Sequence, residues 1–242
     1  MIRSLFIPEE DSEWYCADYS QQEPRVLIHY ACLKDMSSAL QVQKEFCRND
    51  KTDFHQMVAN MAGIERKQAK TINLGLFYGM GNKKLAAQLG LEQDQAYELF
   101  NQYHNRVPFV RELSRQVSHI AGSRGYIKTL LGRKRRFDLW EPRDSWGERA
   151  YSLSEAYSHY PKQELKRAYT HTALNALIQG SSADITKSAM IKIYEAGLLD
   201  EIDLKLTIHD ELDFSIPRNK QKCFEEALQI MKTCVKLKVP LK

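Results

Sequence analysis

Hydrophobic and polar positions alternate in LTIHDELDFSIP (206–217), where Leu206 and Ile208 and then Leu212, Phe214 and Ile216 alternate with polar residues. Both arms are predicted as half-buried strands, and EWYCAD (13–18), far away in the chain, is a further strand candidate. The tip between the two later strands is His209, Asp210 and Glu211, without the Asn-Gly or Asp-Gly pair of an easy hairpin. Elsewhere the period is that of helices. SQQEPRVLIHYACL follows the first strand with Ser20 and Glu23 at capping-box spacing, so Asp18 sits where strand turns into helix. Further helices are predicted over 40–62 with a stop at Gly63, over 66–78 closed by the glycines of GMGN, over 92–121 with Pro108 as a break or start, over 166–196 and over 220–235. GYIKTLLGRKRRF is β-rich and bounded by turns, and 138–165 is loop-like. With no internal repeat, the pattern predicts one mixed α/β (α+β) assembly with a helix-rich middle.

The helix over 66–78 has two faces. At about 100° per residue, Arg66, Lys70, Asn73, Leu74, Phe77 and Tyr78 fall within an arc of roughly 140°. Ala69, Ile72, Leu76 and Met80 form a separate core stripe, which leaves the first face for a ligand. Two cations one turn apart suit a polyphosphate, and the apolar and aromatic groups beyond them suit a sugar and base. Gly75, in the middle of this helix, costs up to about 1 kcal/mol relative to alanine and fits a close approach to the backbone. A solvated basic helix end with ordinary packing is the competing reading of the same residues.

Composition adds charge but little else. The chain has 242 residues, enough for a sizeable core, and a net charge of only +4. Its cations are clustered, in GRKRRF (132–137) and ERKQAK (65–70), as capture of phosphates requires. Five cysteines form no CxxC and no zinc-like spacing with the histidines, which predicts reduced thiols in a cytoplasm. No apolar run approaches the roughly 18 to 20 residues of a membrane span.

ADYSQQEPR (17–25), RKQAKTINLGLFYG (66–79), ALNALIQGSSAD (173–184) and IHDEL (208–212) together resemble the ordered motif set of family A DNA polymerases, and GRKRRFDLWEP with RAYTHTALN is similar to its bacteriophage members. The resemblance implies a palm built on an antiparallel sheet, with helical fingers between its two halves: palm 1–44, fingers 45–162, palm 163–242. It implies transfer of dNMP from a dNTP to a primer 3′ end, with primer-template DNA as partner, in phage replication in the host cytoplasm. Asp18, the Tyr19 carbonyl and Asp210 would hold two Mg²⁺ ions, with Glu211 in support. Arg66, Lys70 and His55 would contact the nucleotide phosphates. Gln21, Leu74 and Tyr78 would adjoin the nucleotide, and Glu23 would close off the sugar 2′ position. Asn175 and Gln179 would touch the minor groove, where acceptors recur in every base pair. Arg133, Lys134, Arg135, Arg136, His171 and His209 would complete the DNA contacts.

Departures from the family pattern carry expectations of their own. Leu74 replaces an aromatic residue, Pro24 an aliphatic one, His171 an arginine and Asp213 an aliphatic residue, the last expected on a solvated strand face. The chain begins inside the family's palm and stops before its last palm strand, so the thumb and exonuclease domain are expected from a separate chain, and weak activity is expected from this one alone. The rivals are a single-subunit RNA polymerase, which lacks the Glu23 carboxylate, and a non-catalytic nucleic-acid-binding fragment.

Overall fold

A computed structural model describes residues 5–49, 51–77, 82–144 and 149–242. Strand β1 (Ser12–Asp18) leads into α1 (Gln22–Cys32), α2 (Ser37–Arg48), α3 (Phe54–Ala62), α4 (Arg66–Phe77), α5 (Asn82–Leu89), α6 (Gln93–Arg106) and α7 (Pro108–Arg124). The hairpin β2 (Tyr126–Lys128) and β3 (Lys134–Arg136) follows, then β4 (Trp140–Pro142), α8 (Leu153–His159) and β5 (Leu165–Arg167). The long helix α9 (Ala173–Glu195), the hairpin β6 (Asp203–Ile208) and β7 (Glu211–Pro217), and α10 (Gln221–Thr233) complete the order.

The main sheet is antiparallel with order β1-β7-β6, so the first strand pairs with the last across nearly the whole chain. Leu212, Phe214 and Ile216 of β7 are fully buried, as their alternation predicts, and Phe224 of α10 packs its ring on Phe214 and Tyr15. Strand β7 is paired at both edges and is buried on its second face too. Ser215 accepts a hydrogen bond from the Glu9 backbone N–H, and Asp213 is 2% exposed, which corrects the expected solvated face. Helix α9 packs on α1, α7 and α10, and α10 in turn packs on β7.

Local chemistry sets the helix ends. The predicted helix over 40–62 is interrupted because Asp53 starts a new one, its carboxylate accepting from the Gln56 N–H at 3.0 Å. Gly63 ends α3 at φ 69°, and Pro108 opens α7 at its first position. The Ser20–Glu23 capping box does not form. The N-cap is Gln21 in the left-handed region (φ 55°), and its amide bonds the Thr52 carbonyl and the Phe54 N–H instead. Within the expected loop 138–165 the chain forms β4, paired with β5, and α8, capped by Ser152. Arg167 stacks on Trp140, its partner across this small sheet, at 4.5 Å, and donates to the Phe137 carbonyl at 2.7 Å. Among the described residues no helix is long and apolar enough to cross a membrane.

Candidate active site

Asp18 is the last residue of β1, in register with Glu211 at the start of β7. The next residue donates its N–H to the Asp210 carbonyl (3.4 Å), and the pairing thus places Asp18 beside the hairpin tip. The tip is a two-residue turn in which His209 has φ 58°, the positive value that tight hairpins require and that a residue other than glycine adopts at some strain. Tyr19 is anchored from below, its hydroxyl donating to the Met231 carbonyl at 2.8 Å.

Electrostatics bear the mark of this crowding. Burial, and then the charge of Asp18, push the Asp210 carboxyl above its ordinary range. Glu23 is raised by burial and then by Asp210, against a hydrogen bond from the Gln179 amide. Two carboxylates near enough for Asp18 to raise Asp210 are hard oxygen donors whose repulsion a divalent cation relieves, so their chemistry fits such an ion. A cavity of about 490 Å³ opens over Asp210, lined also by Gln22, Glu23, Gln179, Ser182, Ala183 and His209, while Asp18 borders a smaller recess with Tyr19 and Lys242. Gln22, Ser182 and Ala183 carried no signal in the sequence; they border the cavity because α1 and α9 pack side by side, with Tyr30 bonded to Ser181. On the sheet face shared with Asp18, the groups of Cys16, Glu211 and Asp213 lie within 4.8 Å of one another. Burial and a hydrogen bond to Asp213 push the Cys16 thiol up to about 11, so it stays protonated.

On α4, Arg66 and Lys70 lie one turn apart and are exposed. The Arg66 guanidinium holds Asp53 at 2.7 Å, and His55 feels the charges of Asp53, Arg66 and Lys70. Leu74 is half-buried one turn further on, whereas Asn73 is fully buried between α3 and α6, off the ligand face to which the helical period assigned it. Tyr78 lies outside the described residues.

Helix α9 presents Asn175 and Gln179 one turn apart. The Asn175 carbonyl oxygen is buried without a hydrogen-bond partner among the described residues. His171 is exposed in the 3-10 turn ahead of the helix. The basic hairpin is exposed at Lys134, Arg135 and Arg136. Arg133 behaves differently: it binds Asp184 at 3.0 Å and the Gly180 carbonyl at 2.8 Å, docking the hairpin onto α9. Gly180 permits this, since a Cβ there would meet Thr129 Cγ2 at 2.7 Å. Tyr169, unremarked in the sequence, lines a second concavity with Arg135 and Arg136.

A family model described as DNA polymerase family A matches residues 1–242. A DNA-directed DNA polymerase of Pseudomonas phage M6 is 38% identical, over 100% of this chain and 38% of its own length. DNA polymerase I of Rhizobium leguminosarum is 31% identical over 100% of this chain and 23% of its own. Among solved structures, the POL domain of Pol1 from M. smegmatis, in complex with DNA primer-template and dNTP, matches with a TM-score of 0.77 and 31% identity, covering 100% of this chain and 40% of that one. The chain spans less than half the length of each of these relatives.

Proposed function

Because the chain belongs to DNA polymerase family A, we propose that it carries the catalytic carboxylates and nucleotide-binding helix of a template-directed DNA polymerase, which adds a deoxynucleotide from a dNTP to a primer 3′ end. The observation that carries this reading is the β1·β7 pairing, which brings Asp18 beside Asp210 from opposite ends of the sequence. Residues 1–44 and 163–242 are assigned to the palm and 45–162 to the fingers. The phage relative supports a role in phage DNA replication.

Asp18, Asp210 and the Tyr19 carbonyl would hold Mg²⁺, and Glu211, opposite Asp18, would support them. When bound, a pair of Mg²⁺ ions supplies activation of the primer hydroxyl and neutralises charge on the departing pyrophosphate. Arg66, Lys70 and His55 bind the nucleotide phosphates. Arg66 leaves Asp53 to do so, exchanging a half-exposed ion pair worth about 0 to 1 kcal/mol for a bidentate phosphate contact. Leu74 and Tyr78 adjoin sugar and base. Glu23, held by Gln179, walls off the 2′ position, and Gln21 secures the turn that carries it. Asn175 and Gln179 contact the minor groove, and Lys134, Arg135, Arg136, His171 and His209 the DNA backbone. Arg133 serves that surface by fixing the hairpin.

Mg²⁺-dependent primer extension with dNTPs tests the reading. Asp210→Asn is expected to reduce extension by at least about 10³-fold, the loss of an interaction made in the transition state, while DNA affinity is kept. DNA binding without extension by the intact chain would leave only a nucleic-acid-binding module. A preference for rNTPs would favour the RNA polymerase alternative.

A further inference from the structure

Three helices of the middle region meet at one buried amide. Asn73 of α4 is fully buried, with its carbonyl oxygen 2.5 Å from the Tyr103 hydroxyl of α6 and its amide nitrogen 3.0 Å from His55 Nδ1 of α3. An amide viewed alone can be turned either way, but Tyr103 decides the matter. Its ring is fully buried and burial pushes its phenol upward, so the hydroxyl stays protonated. Asn73 Oδ1 is the hydrogen-bond acceptor this proton finds among the described residues. With Oδ1 so engaged, the amide N–H faces the imidazole, and Nδ1 must accept.

A histidine whose Nδ1 accepts carries its proton on Nε2. Protonation of the ring would place an N–H on Nδ1 against the donor N–H of Asn73, so the amide opposes the imidazolium. Burial and the cations Arg66 and Lys70 act in the same sense, and Asp53 acts against them. The Nε2–H is then the polar group of the ring left for a ligand.

We propose that Asn73 and Tyr103 are positioning residues that hold His55 as the neutral Nε2–H tautomer, so that the ring delivers a neutral N–H hydrogen bond to the nucleotide phosphates beside Arg66 and Lys70. The inference rests on the assignment of His55 to phosphate binding. It extends the nucleotide site two residues deep, into a helix that touches no nucleotide in this scheme.

Long-range ¹H–¹⁵N correlation on the full chain, with His55 assigned by its loss in His55→Gln, is the direct test. Wild type is expected to show the Nε2–H pattern between about pH 6 and 8, around the ordinary histidine range. Tyr103→Phe removes one oxygen and frees the amide to turn, giving mixed tautomers, and Asn73→Asp reverses the pattern by accepting from Nδ1–H. Both variants are expected to raise the dNTP KM about 3- to 10-fold with kcat changed less than about 2-fold, the signature of lost ground-state binding. An Nδ1–H ring in wild type, or a tautomer unmoved in both variants, overturns the proposal. A tautomer that moves without a change in KM overturns the delivery of the N–H to phosphate. If His55→Gln is also silent, the failure belongs to the assignment of His55 itself.

Discussion

Glu23 lines the cavity, and burial and then the charge of Asp210 raise its carboxyl against a hydrogen bond from Gln179. Glu23→Ala is therefore expected to raise kcat/KM for ribonucleotides about 10- to 100-fold, the range available from removing a small steric block, with deoxynucleotide incorporation little improved. Single-nucleotide extension with dNTP and rNTP measures it. Leu74→Phe restores an aromatic surface one turn beyond Lys70, and a change in dideoxynucleotide discrimination is expected; identical kinetics would refute a stacking role. Gly180→Ala gains helix propensity but drives a methyl into Thr129, which is buried and bonded to Arg133. The expected result is a loss of about 1 to 3 kcal/mol, typical of overpacking, together with weaker DNA binding as the basic hairpin shifts. Denaturant melts and anisotropy titrations report the two effects separately. The nearness of Asp18 to Asp210 and the placement of Arg66 and Lys70 one turn apart on an exposed helix were legible in sequence, because motif order and helical spacing state them. The internal commitments of Arg133, Gln21 and Asn73 were not, because each is set by a partner far away in the chain: Asp184, Phe54 and Tyr103.

At the scale of elements, apolar periodicity found the long helices and the hairpin β6–β7, where Leu206, Ile208, Leu212, Phe214 and Ile216 repeat every second residue. It missed β4 and β5, which are three residues each and too short to display a period, and α8, whose burial is confined to Ala156. The Ser20–Glu23 spacing misled because the chain needed a left-handed residue at Gln21 to turn from β1 into α1, which moved the cap. Helix α6 carries a further consequence. His104 is 5% exposed, edge-on to Phe100, and burial, then Arg111 and Arg115, depress it to about 4. Its folded pKa lies below the unfolded value of 6.5, so above pH 6.5 it is neutral in both states and costs nothing. As pH falls from 6.5 toward 4 the unfolded chain gains a proton that the fold refuses, and stability drops by up to roughly 3 kcal/mol before levelling off. His104→Phe should remove that slope. Denaturation midpoints of both proteins from pH 7 to pH 4 test it, and parallel curves would contradict it.

For the whole molecule, the segment 238–242 lies across the strand-helix junction that carries the site. Ser20 donates its N–H to the Lys242 carbonyl at 2.7 Å, and the Lys238 N–H is accepted by His29. Arg25, 1% exposed, bonds the carbonyls of Ser20 and Pro240 and stacks on Phe46. Arg25→Met leaves those carbonyls without their charged donor and is expected to destabilise by about 2 to 4 kcal/mol, measured by urea unfolding, with extension activity lost at lower temperature than in wild type. This clasp was invisible in the sequence, where 238–242 has neither period nor motif. Pairing β1 with β7 also imposes an order of events. Strand β1 has no partner on its β7 side until the hairpin β6–β7 has been translated, so the helices between them can assemble while Asp18 and Asp210 are still apart. Ribosome-stalled intermediates should accordingly bury their helices early and acquire affinity for divalent cations only once β7 has left the ribosome.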